Sequence, residues 1–153
     1  LEEAGLLEVK TYIQSGNIIF KSPETSREVL ANLIHEKIKS HYGFEVPVLV
    51  LESIDLESAV AGYPWTDKED RTPEQTYFTF LESQPAPDVL AALDPNPYPP
   101  DEYLIEGKII YSYYPKGAGR SKMTNNFFER KLKVRATSRN WRTTNKLIEL
   151  AYG

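Results

Sequence analysis

Between Gly117 and Trp141 the chain gathers the residue types that recognise anions. Gly117 and Gly119 flank Ala118; Arg120, Ser121 and Lys122 follow directly, with Thr124 and Asn125 just beyond. Glycines let main-chain amides approach a ligand, and the unpaired N–H groups of a helix's first turn carry partial positive charge. A guanidinium, a hydroxyl and an ammonium at such an end suit a phosphate or a carboxylate. A helix is expected to begin immediately after these glycines, with Met123, Phe127, Phe128 and Leu132 marking its apolar face. The spacing is not that of a P-loop, because no lysine follows the second glycine at the required place. A plainer alternative makes Gly117 to Gly119 a strand-to-helix turn, Ser121 a helix cap and the cations a solvated face.

A second group comprises Arg139, Asn140 and Trp141. Residues 136–145 are expected to open the final helix, capped by Thr137 or Ser138, which puts Arg139, Asn140 and Arg142 in its first turn. Cations there oppose the helix dipole by roughly 0.3–1 kcal/mol each, so a neutralising anion would relieve them. Two helix N-termini would then converge on one ligand. Trp141 recurs with Ile148 and Tyr152 at helical spacing and is expected to anchor the core.

Charge distribution supports an anionic partner. Between Lys116 and Lys146 lie ten basic residues and one acidic residue, Glu129, a local charge of +9. The whole chain is −4, which leaves −13 for the remainder. An acidic protein that gathers its cations in one stretch usually presents them to something negative. Lys122, Asn126, Glu129 and Lys133 fall on one helical stripe beside Arg130 and Lys131, a surface able to follow a nucleic-acid backbone or simply to face water. Tyr111 and Tyr113 lie on one side of a strand and are expected to be buried rather than to stack on bases.

Several chemistries lack their signatures. There is no cysteine, which removes disulfides and thiol catalysis. His35 and His41 are six apart on one expected helix and cannot share a metal without distortion. No Gly-x-Ser-x-Gly elbow is present. Neither a metal nor a cofactor is expected. Asp67, Glu69 and Asp70 read as solvated linker. No run approaches the length of a membrane span and the start lacks the layout of a secretory signal, so the chain is expected to be cytoplasmic, without membrane association.

The elements that must position these residues follow from periodicity and turn chemistry. With 153 residues and a 41% apolar fraction, the chain can bury a core as one domain or two small ones. Leu1 to Gly5 resembles the last turn of a helix, so the chain is expected to be a fragment or to start abruptly. Val9 to Phe20 reads as a β-hairpin around Gly16. A helix capped at Thr25 or Ser26 runs to Tyr42 and stops at Gly43. Val46 to Leu51 is expected to be a strand, Ile54 to Gly62 a short helix, and Tyr63 to Gln75 a polar connector. Thr76 to Leu81 follows as a strand, then a helix over Pro85 to Leu93 with Pro87 in its first turn, and a rigid proline-rich loop over Asp94 to Asp101. Glu102 to Glu106 and Lys108 to Tyr114 form a second hairpin about Gly107. The expected organisation is therefore 1–54 as a first subdomain, 55–75 as helix and connector, and 76–153 as a second subdomain. Each approaches a βαββαβ unit, an α+β arrangement with helices on one face of an antiparallel sheet.

Three blocks carry a family resemblance: TYIQSGNIIF (Thr11 to Phe20), GFEVPVLV (Gly43 to Val50) and GRSKMTNNFFERKLKVRATSRNWRTTNKL (Gly119 to Leu147). They resemble the bacterial domain-of-unknown-function 1697 family. The resemblance implies two ferredoxin-like units packed together, the first incomplete, because family members open with a strand and an Arg-Gly-Ile-Asn-Val-Gly-Gly loop that this sequence lacks. An incomplete sheet leaves an edge open to self-association. Lys133 stands where the family commonly has glycine, and Thr144 where it often has an aliphatic residue. The family lends no activity.

The expectation is thus a module binding a nucleotide or nucleic acid through Gly117, Gly119, Arg120, Ser121, Lys122, Thr124, Asn125, Arg139, Asn140 and Trp141. Two other readings stay open: an enzyme stabilising a small phosphorylated or carboxylated substrate with Arg120, Lys122 and Arg139, and an interaction domain for an acidic protein.

Overall fold

A computed structural model describes residues 5–12, 16–66, 68 and 71–152. The chain has an α+β fold with two antiparallel sheets, of two and four strands, and five α-helices among the described residues. By contacts it divides into two units, one formed by Leu1–Leu56 with Lys146–Gly153 and the other by Glu57–Asn145.

In the first unit β1 (Leu7–Thr11) pairs antiparallel with β2 (Ile18–Lys21). Asn17 donates from its side-chain amide to the Tyr12 carbonyl at 3.1 Å, closing the base of the turn. The expected end of a helix at residues 1–4, and Ile13, Gln14 and Ser15 of the hairpin, lie outside the described residues. Helix α1 (Arg27–Tyr42) starts at Ser26, whose hydroxyl accepts from the Val29 N–H at 3.2 Å, and ends at Gly43 in the left-handed conformation. Leu30 and Ile34 turn inward with Leu6, and Val9, Ile18 and Phe20 of the hairpin pack against them.

The strand expected at Val46 to Leu51 is absent. Val48 and Val50 do pack on the α1 cluster, as the alternating pattern requires. A strand also needs a neighbour to complete its ladder, and among the described residues the main chain of this segment meets only the His35 ring, 2.8 Å from the Val46 carbonyl. Periodicity reports the side-chain half of that requirement and not the pairing half.

Helix α2 (Ser53–Ala61) follows. The expected polar connector is less solvated than its composition suggests: the Tyr63 ring is buried and Arg71 lies across the rings of Trp65 and Tyr113, at 5.3 and 4.8 Å, while pairing with Glu102. Asp67, Glu69 and Asp70 lie outside the described residues.

The second unit runs β3 (Thr76–Leu81), α3 (Pro87–Ala91), β4 (Glu102–Glu106), β5 (Ile109–Tyr113), α4 (Asn125–Leu132), β6 (Ala136–Asn140) and the start of α5 (Trp141–Tyr152). The sheet order is β4-β5-β3-β6 with every neighbouring pair antiparallel. Strand β6 was not expected. ATSRN carries one β-branched residue and no large apolar one, and it pairs on one side only, as an edge strand that tolerates polar residues.

One sheet face, with Leu81, Ile110 and Tyr114, packs on Met123, Phe127, Phe128 and Leu132. The other carries Phe78 and Tyr111 opposite one another, with the Trp141 ring stacked on Phe78 at 5.7 Å and Tyr63 against Trp141 at 5.5 Å. Tyr111, Tyr113 and Tyr114 are buried. Tyr111 donates to the Ala59 carbonyl at 2.9 Å, an approach that depends on Gly62, where a Cβ would sit 2.7 Å from the phenol oxygen. Tyr114 donates to the Met123 carbonyl at 2.5 Å.

Burial pushes the phenols of Tyr111 and Tyr114 up to about 12. Their ordinary value is roughly 10, so the folded state holds these protons more tightly than the unfolded chain does. The resulting stability is complete below about pH 10 and is lost as pH rises toward 12. Chemical denaturation at successive pH values should show that decline, with Tyr114→Phe flattening it. A separate gain is expected at Lys133, which closes α4 at φ 59. The left-handed conformation costs a residue with a Cβ about 1 kcal/mol, so Lys133→Gly should raise unfolding stability by about that amount.

Candidate functional site

Strands β3, β4, β5 and β6 present Thr76, Glu102, Tyr113 and Asn140 at one end of the four-stranded sheet. The chain leaves β5 there and folds into a tethered loop: Tyr114 N–H donates to the Gln75 carbonyl at 3.2 Å, and Gly117 N–H to the Tyr114 carbonyl at 3.0 Å. Gly117 has φ 90, a conformation a side chain would resist. Ala118–Arg120 forms a single 3-10 turn. Gly119, Arg120 and Lys122 are exposed, and Ser121 accepts from the Met123 N–H at 2.9 Å.

Helix α4 begins later than expected. Its cap is Thr124, whose hydroxyl accepts from the Phe127 N–H at 3.2 Å, so Gly117 to Lys122 precede the helix instead of forming its first turn. Ser121 consequently shapes a local turn and is not the cap. Asn125, the first helical residue, donates to the Ala136 carbonyl at 2.9 Å and accepts from the Ser138 hydroxyl at 2.8 Å. Ser138 lies 2.8 Å from the Thr79 hydroxyl, which extends the chain of bonds to the central strand. Glu129 accepts from the Ala136 N–H at 2.9 Å and so also fastens α4 to β6.

The second group is corrected in the same sense. Arg139 and Asn140 end strand β6, and the cap of α5 is Asn140, whose side-chain amide oxygen accepts from the Thr143 N–H at 2.7 Å. Thr137 and Ser138 are strand residues. Of the expected first-turn cations only Arg142 lies in the helix. Arg139 sits opposite Phe78, on the aromatic side of the sheet, and donates to the Thr137 hydroxyl at 2.6 Å and the Ser138 carbonyl at 2.8 Å. Burial lowers its pKa, because a desolvated guanidinium is harder to keep charged. Thr144 is buried, and its hydroxyl donates to the Asn140 carbonyl at 2.9 Å.

Both groups therefore lie at one end of the sheet, but their members divide between its faces. Asn125 belongs to the α4 side, whereas Arg139 and Trp141 face the Phe78 side. The two helix starts are capped by Thr124 and Asn140 from within the chain.

A different constellation lies along the loop 116–122, helix α4 and the turn that follows it. Lys116, Arg120, Lys122, Arg130, Lys131, Lys133 and Arg135 are all exposed, and among the described residues none of them forms an ion pair. Tyr98, from the proline-rich loop, has Lys122 over its ring at 5.7 Å. The sequence places Tyr98 only within a rigid loop, where a lone aromatic among prolines is the available signal. Among the described residues, no three His, Asp or Glu side chains gather as a metal site, and no helix is long and apolar enough to cross a membrane.

Comparison with known proteins bears on the family. A family model described as "Protein of unknown function (DUF1697)" matches residues 1–111. The chain belongs to this family. The match ends before the block from Gly119 to Leu147, the last of the three that carry the resemblance. No curated protein matches. Among solved structures, the conserved bacterial protein SP0830 from Streptococcus pneumoniae is similar in fold, with a TM-score of 0.67 at 21% identity, covering 99% of this chain and 84% of that one.

The bonds of Asn125 generate a direct test. Asn125→Ala leaves the Ala136 carbonyl and the Ser138 hydroxyl without these partners, and should cost about 1–3 kcal/mol in equilibrium unfolding.

Proposed function

We propose that this DUF1697 protein binds a phosphate-bearing polyanion, of the nucleic-acid class, across the loop Lys116 to Lys122 and the outer side of α4. The observation that carries the reading is the set of seven exposed cations without an ion pair among the described residues. Elsewhere cations do find carboxylates: Lys21 with Glu8, Arg27 with Glu52 and Asp55, Lys146 with Glu149. Clustered cations that lack internal partners repel one another, and a chain of phosphates relieves that repulsion while releasing its condensed counterions.

The capped helix starts favour this extended surface over a pocket at two helix N-termini. The enzyme reading needs Arg120, Lys122 and Arg139 together, and Arg139 faces the aromatic side of the sheet, away from the side that holds Lys122. We also infer that the second unit is ferredoxin-like: its β-α-β-β-α-β order and β4-β5-β3-β6 arrangement support a split βαβ pair. On such sheets the open face is a common nucleic-acid platform, but here Phe78, Tyr111 and Tyr113 are buried, which directs attention to the helical side.

Binding to a labelled oligonucleotide across a salt series is the test. A steep fall in affinity with salt is expected, and a flat dependence or no binding would overturn the reading. Arg120→Ala should weaken binding and reduce the salt slope by about one, with an unchanged melting temperature, since its side chain is exposed.

A further inference from the structure

On the α4 side the cations are interleaved with aromatic rings. Lys122 Nζ lies 5.7 Å from the centre of the Tyr98 ring, Tyr98 meets Phe127 edge-to-face at 5.7 Å, and Arg130 lies 6.0 Å from the centre of the Phe127 ring. Phe127 is buried and belongs to the core cluster, so it serves as a fixed support. Tyr98 is 36% exposed. Its loop is held in one shape: Tyr103 donates to the Asp94 carbonyl at 2.5 Å, Asn96 N–H to the Asp94 carboxylate at 2.9 Å, and Asp101 N–H to the Tyr98 carbonyl at 3.0 Å. Pro97 and Pro99 restrict the main chain on either side of the tyrosine.

A partly exposed ring on a braced loop, with an ammonium group beside it and a guanidinium over the ring that supports it, combines the two contacts that single-stranded nucleic acids offer. Cations track the phosphates and the ring accepts a base. A duplex presents phosphates but keeps its base faces stacked, and inorganic polyphosphate has no bases. We propose that Tyr98 is a base-stacking residue and that the polyanion recognised by this surface is single-stranded nucleic acid, without strong sequence preference. This rests on the polyanion-binding reading above and adds the base contact to it.

The experiment compares three probes of similar charge by fluorescence anisotropy or competition: a labelled oligo-dT, a DNA hairpin duplex and inorganic polyphosphate. The proteins are the wild type, Tyr98→Leu and Tyr98→Phe, each checked for an unchanged melting temperature. The expected result is tighter binding to the single strand than to the duplex. Tyr98→Leu should lose roughly 5- to 150-fold on the single strand, the range for removing one base–aromatic stack. Polyphosphate binding should be unchanged in both variants, and Tyr98→Phe, which keeps a ring, should retain most of the affinity. A Tyr98→Leu protein that binds oligo-dT as well as the wild type, or that loses polyphosphate binding equally, would overturn the stacking assignment and leave the polyanion surface standing. Equal affinity for duplex and single strand would do the same. Failure of all three probes to bind would remove both readings together.

Discussion

The second unit depends on the fastening of strand β6 between helix α4 and the central strand β3. Asn125 does this from the helix side, bonding the Ala136 carbonyl and the Ser138 hydroxyl, and Ser138 in turn meets Thr79. Because β6 is polar and lies at the sheet edge, its backbone ladder with β3 has little apolar packing of its own to reinforce it. The side-chain bonds from Asn125 and Glu129 supply a second attachment. They also fix the rotation of α4: with Phe127, Phe128 and Leu132 held against the sheet, Arg130 and Lys131 have nowhere to go but outward.

That arrangement separates the two sides of the sheet by chemistry. The side carrying Phe78, Tyr111 and Trp141 is an aromatic layer in which a cation such as Arg139 is desolvated and engaged by its own strand. The side covered by α4 turns its charge to water. Residues adjacent in sequence, Arg139 and Asn140 among them, point to opposite sides because strand side chains alternate. Grouping them with Arg120 and Lys122 by residue type alone could not anticipate this.

Much of the fold was legible because local chemistry and tertiary packing agree. Ser26 and Gly43 bracket α1, Gly107 turns the second hairpin, and the apolar run Thr76 to Leu81 becomes the central strand. The failures share a cause. ATSRN has weak strand propensity and is a strand through its pairing with β3; VPVLVL has strong propensity and is not one, since propensity does not provide a neighbour. In the candidate site the residue types were legible, including the exposed Arg120 and Lys122. The positions of the helix starts were not: Ser121, Thr124, Thr137, Ser138 and Asn140 are all of capping type, and it is Thr124 and Asn140 that accept from the helix amides of Phe127 and Thr143. Tyr98 was hidden for another reason, since its neighbours Lys122 and Phe127 are distant in sequence.

The extended segment at Val46 to Leu51 has one more implication. Its valines contribute to the core of the first unit while its amides have no ladder partners among the described residues, and such partners slow hydrogen exchange. Protection in this unit is therefore expected in the helices and the β1–β2 ladder, and the segment should register as fast-exchanging despite being half-buried. Here a backbone without a ladder runs beside a well-formed apolar cluster, at a place where burial is a poor guide to rigidity.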